Sequence, residues 1–343
     1  MSNNSSLPTH PVIAIAGATG AVGQEMLKII ESRDVPYSKL KLLASKRSSG
    51  TELEVKGQKI VIEEMRSESF EDVDIALFAA GSNLSKEYLP YLKKYGCVMI
   101  DNSSAFRMDK DVPLVVPEVN PEAALKHSGV IANPNCSTIQ MVVALKPLND
   151  ISPIKRVVVS TYQAASGAGA KGMEELYNQT KEFFEGKDLT IEAFSDQIAF
   201  NVIPHIDVFL DDKSTKEEWK MIEETKKILD SDTIQVAANC ARVPVLRSHA
   251  EYINLEFNQE VSVADARKAF EAAPGVELMD DPETNTYPMP YFTSGKDKVY
   301  IGRLRQDKSV EHGLSFWNCA DQLRKGAALN AVQILEVLIT HEL

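Results

Sequence analysis

Cys136 is the residue best placed to do chemistry in this sequence. It stands in Asn133-Pro134-Asn135-Cys136-Ser137-Thr138, directly ahead of the helical-looking run Ile139 to Leu145. A thiol at a helix N-terminus meets positive potential, which lowers its pKa and raises the fraction present as the nucleophilic thiolate. The other cysteines differ in their surroundings: Cys97 lies inside Gly96-Cys97-Val98-Met99-Ile100 and reads as a small buried hydrophobe, as do Cys240 and Cys319. A cysteine nucleophile needs an acid or base beside it. The six histidines are the first candidates, and His10 and His341 are set aside because they lie near the termini. His249 follows a cation-rich segment, Arg242 to Arg247, and precedes a strand-like run, which puts it only slightly ahead of His205 and His312.

A second chemical signature is Gly17-Ala18-Thr19-Gly20-Ala21-Val22-Gly23, between the apolar run Val12 to Ala16 and the helical pattern Gln24 to Ile30. Glycines there let the backbone approach a pyrophosphate, and the helix start supplies N–H donors. The spacing is G-x-x-G-x-x-G, one residue off the dinucleotide fingerprint. An NAD site would place Asp or Glu at the end of the second strand to hold the ribose 2′-hydroxyl. This chain has Ser45-Lys46-Arg47-Ser48-Ser49 there. Cations and hydroxyls suit a 2′-phosphate, so the reading favours NADP over NAD.

These residues must be positioned by a scaffold, and 343 residues suffice for two domains with separate cores. Val12 to Ala16, Leu40 to Ala44, Val73 to Ala79 and Cys97 to Asp101 read as strands of a parallel sheet buried on both faces. Beyond Cys136 the pattern turns mixed. Strands are predicted over Arg156 to Tyr162, Tyr252 to Phe257, Val299 to Leu304 and Leu314 to Trp317, with helices over Met173 to Phe184, Lys216 to Leu229 and Val263 to Ala272. The segment Leu323 to Leu338 has a helical pattern suited to packing back on the first domain.

Composition narrows the ligand class. Acidic residues number 49 against 37 Lys and Arg, a net charge of −12 without any run of five like charges, which argues against nucleic acid. The cysteines show no C-x-x-C or zinc-ligand spacing, and the first apolar stretch is too short for a signal core or a membrane span. The expectation is a soluble, metal-free, cytoplasmic protein that takes small molecules.

Six segments, in order, resemble the aspartate-semialdehyde dehydrogenases. They are the glycine loop Gly17 to Gly23, Asp101-Asn102-Ser103-Ser104-Ala105-Phe106-Arg107, Val115-Val116-Pro117-Glu118-Val119-Asn120, Asn133 to Thr138, Ser160-Thr161-Tyr162-Gln163 with Ser166-Gly167-Ala168-Gly169, and Arg242-Val243-Pro244-Val245 with His249. The resemblance implies an α/β fold: a Rossmann-type dinucleotide-binding domain over 1–135, completed by a C-terminal helix over 323–343, plus an α+β catalytic and dimerisation domain of the glyceraldehyde-3-phosphate dehydrogenase-like type over 136–322. It also implies a homodimer or homotetramer.

The implied reaction is NADPH-dependent reductive dephosphorylation of 4-phospho-L-aspartate to L-aspartate 4-semialdehyde, reversible, in the biosynthesis of lysine, threonine, methionine and diaminopimelate. Carried over by residue, Cys136 is the nucleophile, His249 the acid/base and Gln163 a substrate-positioning group. Arg107 and Lys220 would hold phosphate, Arg242 the α-carboxylate and Glu217 the α-amino group, with Asn135 flanking the thiol. Gly17, Thr19, Gly20, Ala21, Val22, Ser45, Arg47, Ser48, Ser166, Gly167 and Gln322 would hold the cofactor. On sequence grounds alone Glu217 and Lys220 read as a surface ion pair three residues apart on one helix. The runner-up reading is another acyl-phosphate reductase, such as an N-acetyl-glutamyl-phosphate reductase; a catalytically silent NADP-binding protein is the alternative of a different class.

Overall fold

The computed structural model describes residues 7–340; the first six residues, His341 and the last residues of the expected C-terminal helix lie outside the described part. The chain divides into two compact units, one of Met1–Pro134 with Ala327–Leu343 and one of Asn135–Gly326.

In the first unit the chain forms β1 (Val12–Ala16), α1 (Ala21–Ser32), β2 (Lys39–Ala44), β3 (Glu52–Val55), β4 (Gln58–Glu64), β5 (Ile75–Phe78), α2 (Ser82–Tyr95), β6 (Val98–Asp101) and β7 (Val130–Ala132). The sheet runs β3-β4-β2-β1-β5-β6-β7, all parallel except the β3–β4 hairpin. Strand order reverses beside β1, so the crevice beyond its C-terminal end is where a nucleotide is expected in such a sheet. Ile13, Ile15, Leu42, Ile75, Leu77 and Ile100 fill the core, consistent with apolar runs buried on both faces. The sequence reading lacks the β3–β4 hairpin, whose strands are rich in Glu and Lys. Its turn, Lys56-Gly57, has φ of 49° and 73°, the doubly positive geometry that suits a two-residue hairpin.

The second unit carries α3 (Cys136–Asn149), β8 (Ile154–Gln163), α4 (Gly169–Glu185), α5 (Lys216–Ile228), β9 (Gln235–Arg242), β10 (His249–Phe257), α6 (Val263–Ala272), β11 (Val276–Leu278), α7 (Pro290–Thr293), β12 (Val299–Asp307) and β13 (Gly313–Ala320). Its mixed sheet runs β11-β12-β13-β10-β8-β9. α3 is buried from Ser137 to Leu145 without interruption, as an apolar central helix requires. β9 escaped the sequence reading because Gln235-Val236-Ala237-Ala238-Asn239-Cys240 is poor in β-branched and aromatic residues; pairing to β8 overrides that weak propensity. The predicted terminal helix is interrupted by a π-turn over Arg324–Ala328, after which α8 (Leu329–Thr340) buries Leu329, Val332 and Leu335 in the core of the first unit.

Candidate active site

Cys136 is the first residue of α3, with Asn135 as an extended N-cap at φ −63° and ψ 143°. It is half-buried, whereas Cys97, Cys240 and Cys319 are buried. Burial pushes all three of those thiols up, that of Cys319 to about 12, so they stay protonated and inert. Gly326 lies against the nucleophile candidate: a Cβ at 326 would sit 2.9 Å from Cys136 Cβ, so the chain can pass only without a side chain.

Glu217, buried on α5, gathers the neighbouring polar groups. Its Oε1 accepts from Asn135 Nδ2 at 2.9 Å and from Gln163 Nε2 at 3.1 Å, and its Oε2 accepts from Lys220 Nζ at 3.1 Å. A carboxylate can only accept, so these contacts fix both amide orientations. Burial opposes ionisation of Glu217, but Lys220 and the two amides outweigh it and hold the carboxyl below its usual range. Lys220, also bonded to Asp207 at 2.7 Å, is likewise kept charged against burial by Glu217 and Asp207. This is not the surface pair that sequence spacing suggests: Glu217 is 4% exposed, and the side chain of Lys220 only 13%. Glu224, one of the nearby acids that look equivalent in sequence, accepts from the Asn135 backbone N–H at 2.6 Å.

His249 opens β10 and is fully buried. The Ala164 N–H donates to its Nδ1 at 3.0 Å, so the neutral ring carries its proton on Nε2. Burial first, and Arg242 second, hold its pKa well below the usual histidine value, which keeps the ring neutral. Gln163 Nε2, itself a donor, lies 3.5 Å from His249 Nε2, so two N–H groups converge on one place. Arg242 is buried at the end of β9, donates to the Ala164 carbonyl at 2.7 Å, and lies 5.8 Å from the Phe194 ring centroid. It faces a cavity of about 280 Å3 lined also by Phe194, His205 and Asp207. His205 lines that same cavity and stacks on Phe209, while the His312 backbone carbonyl accepts from the Phe257 N–H.

Ser166, Gly167 and Gln322 adjoin this cluster. Gln322 bonds the Ser166 hydroxyl and accepts from the Ser248 N–H at 2.8 Å. A Cβ on Gly167 would lie 2.5 Å from Arg242 Nη1 and 3.2 Å from His249 Nε2. Sequence reading missed Asp207, Glu224, Phe194 and Gly326. The first three stand among ordinary loop and helix residues, and no spacing rule marks a side chain that meets the site only through tertiary packing.

The remaining predicted residues belong to the first unit. Gly17 has φ of +88°, and a Cβ there would come within 2.6 Å of the Ala79 carbonyl oxygen; Gly23 has no room for one against the Gly17 carbonyl. The loop is thus bare backbone ending in the N-terminus of α1, capped by Gly20, with Thr19 and Gly20 exposed and Ala21 and Val22 half-buried. The donor set fits the pyrophosphate of a dinucleotide. Ser45 and Arg47 are exposed just past β2, with Ser48 half-buried, and β2 pairs in parallel with β1, so this loop shares the sheet edge with Gly17. Arg107 is buried, with Nε donating to the Asn133 carbonyl at 2.9 Å and Nη2 to the Asn102 carbonyl at 3.1 Å. No helix among the described residues is long and apolar enough to cross a membrane.

Known proteins resemble this chain over nearly its whole length. Residues 12–127 match the family described as semialdehyde dehydrogenase, NAD binding domain, and residues 145–325 the semialdehyde dehydrogenase, dimerisation domain. The aspartate-semialdehyde dehydrogenase of Aquifex aeolicus is 55% identical, with 95% of this chain and 97% of that protein covered. A crystal structure of aspartate semialdehyde dehydrogenase II from Vibrio cholerae complexed with ASA superposes with a TM-score of 0.95 at 44% identity, covering 97% of this chain and 99% of that one. The Candida albicans enzyme, crystallised with NADP, superposes with a TM-score of 0.74 at 25% identity over 96% of this chain and 98% of that one. The chain therefore belongs to the aspartate-semialdehyde dehydrogenase family.

Proposed function

We propose that the protein reduces 4-phospho-L-aspartate to L-aspartate 4-semialdehyde with NADPH, through a thioester on Cys136. The observation that carries this reading is the cluster within one unit: a half-exposed thiol at a helix start, a buried histidine whose Nδ1 accepts from a backbone N–H, a buried arginine, and a buried glutamate bonded to a lysine and two amides. The thiolate of Cys136 attacks the acyl carbon, the C–O bond to phosphate breaks, and phosphate departs with that electron pair. Arg107 and Lys220 are the cations assigned to it. Bound NADPH supplies a hydride to the thioester carbon.

His249 and Gln163 are assigned to the oxygen of that carbonyl. Their Nε2–H groups donate to it as negative charge builds, much as oxyanion-hole donors do. A neutral imidazole gives up its last proton only with great difficulty, so His249 acts here as a hydrogen-bond donor during reduction. The resulting anion needs no added proton: it re-forms the carbonyl, breaks the C–S bond and restores the Cys136 thiolate. Arg242, on its cavity, is assigned the substrate α-carboxylate and Glu217 the α-amino group. A free amine gains from a carboxylate partner, whereas an N-acetylated substrate would not, and this favours aspartate over N-acetylglutamyl phosphate.

The test is a steady-state assay of NADPH oxidation. Rapid turnover is expected with 4-phosphoaspartate and little with N-acetylglutamyl phosphate, and arsenate is expected to replace phosphate in the oxidative direction. Equal rates with both acyl phosphates would overturn the substrate assignment. The cofactor assignment rests on the Ser45 to Ser49 loop. Arg47→Asp is expected to raise the KM for NADP roughly 100-fold while changing that for NAD little, since a charge-assisted bond becomes a repulsion. An unchanged ratio would remove the 2′-phosphate from Arg47. The pathway to lysine, threonine, methionine and diaminopimelate, a cytoplasmic location and a homodimer or homotetramer belong to the same reading; the family description of residues 145–325 supports self-association.

A further inference from the structure

A second pair of side chains lies below the proposed catalytic pair. Gln140 follows Cys136 by one turn of α3 and shares its face, and Glu251 follows His249 by two residues on β10 and shares its side of the sheet. Both are completely buried, as is Asn318, which stands opposite Glu251 in the β10–β13 register.

The atoms of this trio can be assigned from a fixed point, the Gln140 backbone carbonyl, which can only accept. The Asn318 side-chain atom 3.3 Å from it, and 3.0 Å from Glu251 Oε2, must therefore be nitrogen. Asn318 Oδ1 is then the acceptor for Gln140 Nε2 at 2.8 Å. What remains is Gln140 Oε1, an oxygen with no donor, and Glu251 Oε1, another; both are buried without a hydrogen-bond partner among the described residues. Gln140 and Glu251 bond the same Asn318 amide, one at its Oδ1 and the other at its Nδ2, so the two orphaned oxygens belong to side chains that share one partner. Two orphaned acceptors in a dry interior are costly, and one proton satisfies both.

We propose that Glu251 is a neutral carboxylic acid in the folded protein and donates its Oε1–H to Gln140 Oε1, acting as a positioning residue that ties the Cys136 end of α3 to the His249 end of β10. The protonation state stands on the bonding pattern alone; the positioning role rests on the proposed Cys136 and His249 chemistry. The surroundings favour the neutral form. Burial drives the carboxyl well above the usual glutamate range, against the opposing effect of the Asn318 N–H. The titratable groups on its side of the sheet are Cys240 of β9, kept as a thiol, and neutral His249 on its own strand, whereas Cys319, next to Asn318 on β13, points to the other face.

Infrared difference spectra of wild type against Glu251→Gln are expected to show the carbonyl stretch of a protonated carboxyl at neutral pH, present in wild type and missing from the variant. Stability gives an independent reading. The folded chain holds a proton that the unfolded chain releases above the ordinary glutamate pKa, so this group makes wild type lose stability as pH rises above that pKa. Glu251→Gln, which keeps the shape and a donor, should lack that slope and unfold at a higher temperature than wild type at pH 8. Absence of the band, with the variant less stable at pH 8, would show an ionised Glu251 and overturn the proposal. For positioning, Gln140→Met should cut kcat at least tenfold with KM within about twofold, while Glu251→Gln retains most of kcat. A full kcat in Gln140→Met would overturn the positioning role. The band and the pH slope are read without turnover, so failure of the proposed reaction would leave them interpretable.

Discussion

Changing Cys136 to serine is expected to lower kcat by on the order of 10⁴ to 10⁶-fold, the scale seen when a covalent nucleophile is removed. A serine hydroxyl ionises far above neutral pH, and neither the helix start nor any neighbouring cation closes that gap. The fold should survive, because Cys136 is half-exposed and serine is no larger, leaving Gly326 its space. Mass spectrometry separates loss of chemistry from loss of binding. Wild type mixed with acyl phosphate and no NADPH should carry an acyl adduct on Cys136, and the serine variant should carry none. An adduct on Cys97, Cys240 or Cys319 would move the nucleophile elsewhere.

Replacement of His249 by alanine should reduce kcat by roughly 10² to 10³-fold, about 3 to 4 kcal/mol, as for loss of one oxyanion donor. The pH dependence is sharper than the magnitude. A histidine whose pKa is depressed by burial and Arg242 stays neutral as pH falls through about 6.5, so the acid limb of the wild-type kcat profile should lie below that value. Protonation at Nδ1 would also break the bond from the Ala164 N–H. The alanine variant should lose the limb. A rate that rises as pH falls through 6.5 would instead require imidazolium as the working acid and would sink the neutral-donor role. Linkage gives the matching stability trend: the unfolded chain takes up this proton first, so stability is lost as pH falls below about 6.5.

The legible parts of the fold were those with a strong local code. Val12 to Ala16 is apolar without interruption and is β1; Val263 to Ala272 has a helical period and is α6. The glycine loop and Cys136 were visible because backbone bareness and a polar-flanked thiol are local properties. β9 and the β3–β4 hairpin were not, since their pairing is decided by neighbours distant in sequence. The same division holds in the site. Glu217 and Lys220 lie among equivalent Lys and Glu residues, and only burial of that face of α5 distinguishes them from a solvated pair. Family resemblance singled them out where physics on one sequence could not. Asp207, Glu224 and Gln140 lay beyond either route.

The contrast among the four cysteines also makes folded chains countable by their thiols. Three thiols are sealed in the interior and held protonated, while one is open to reagent at a helix start. A mild alkylating agent near neutral pH should therefore consume about one equivalent per folded chain before denaturant exposes the rest. Under the chemistry proposed for Cys136, that stoichiometry would serve as an active-site titration, converting total protein concentration into the fraction competent for chemistry without a substrate in hand.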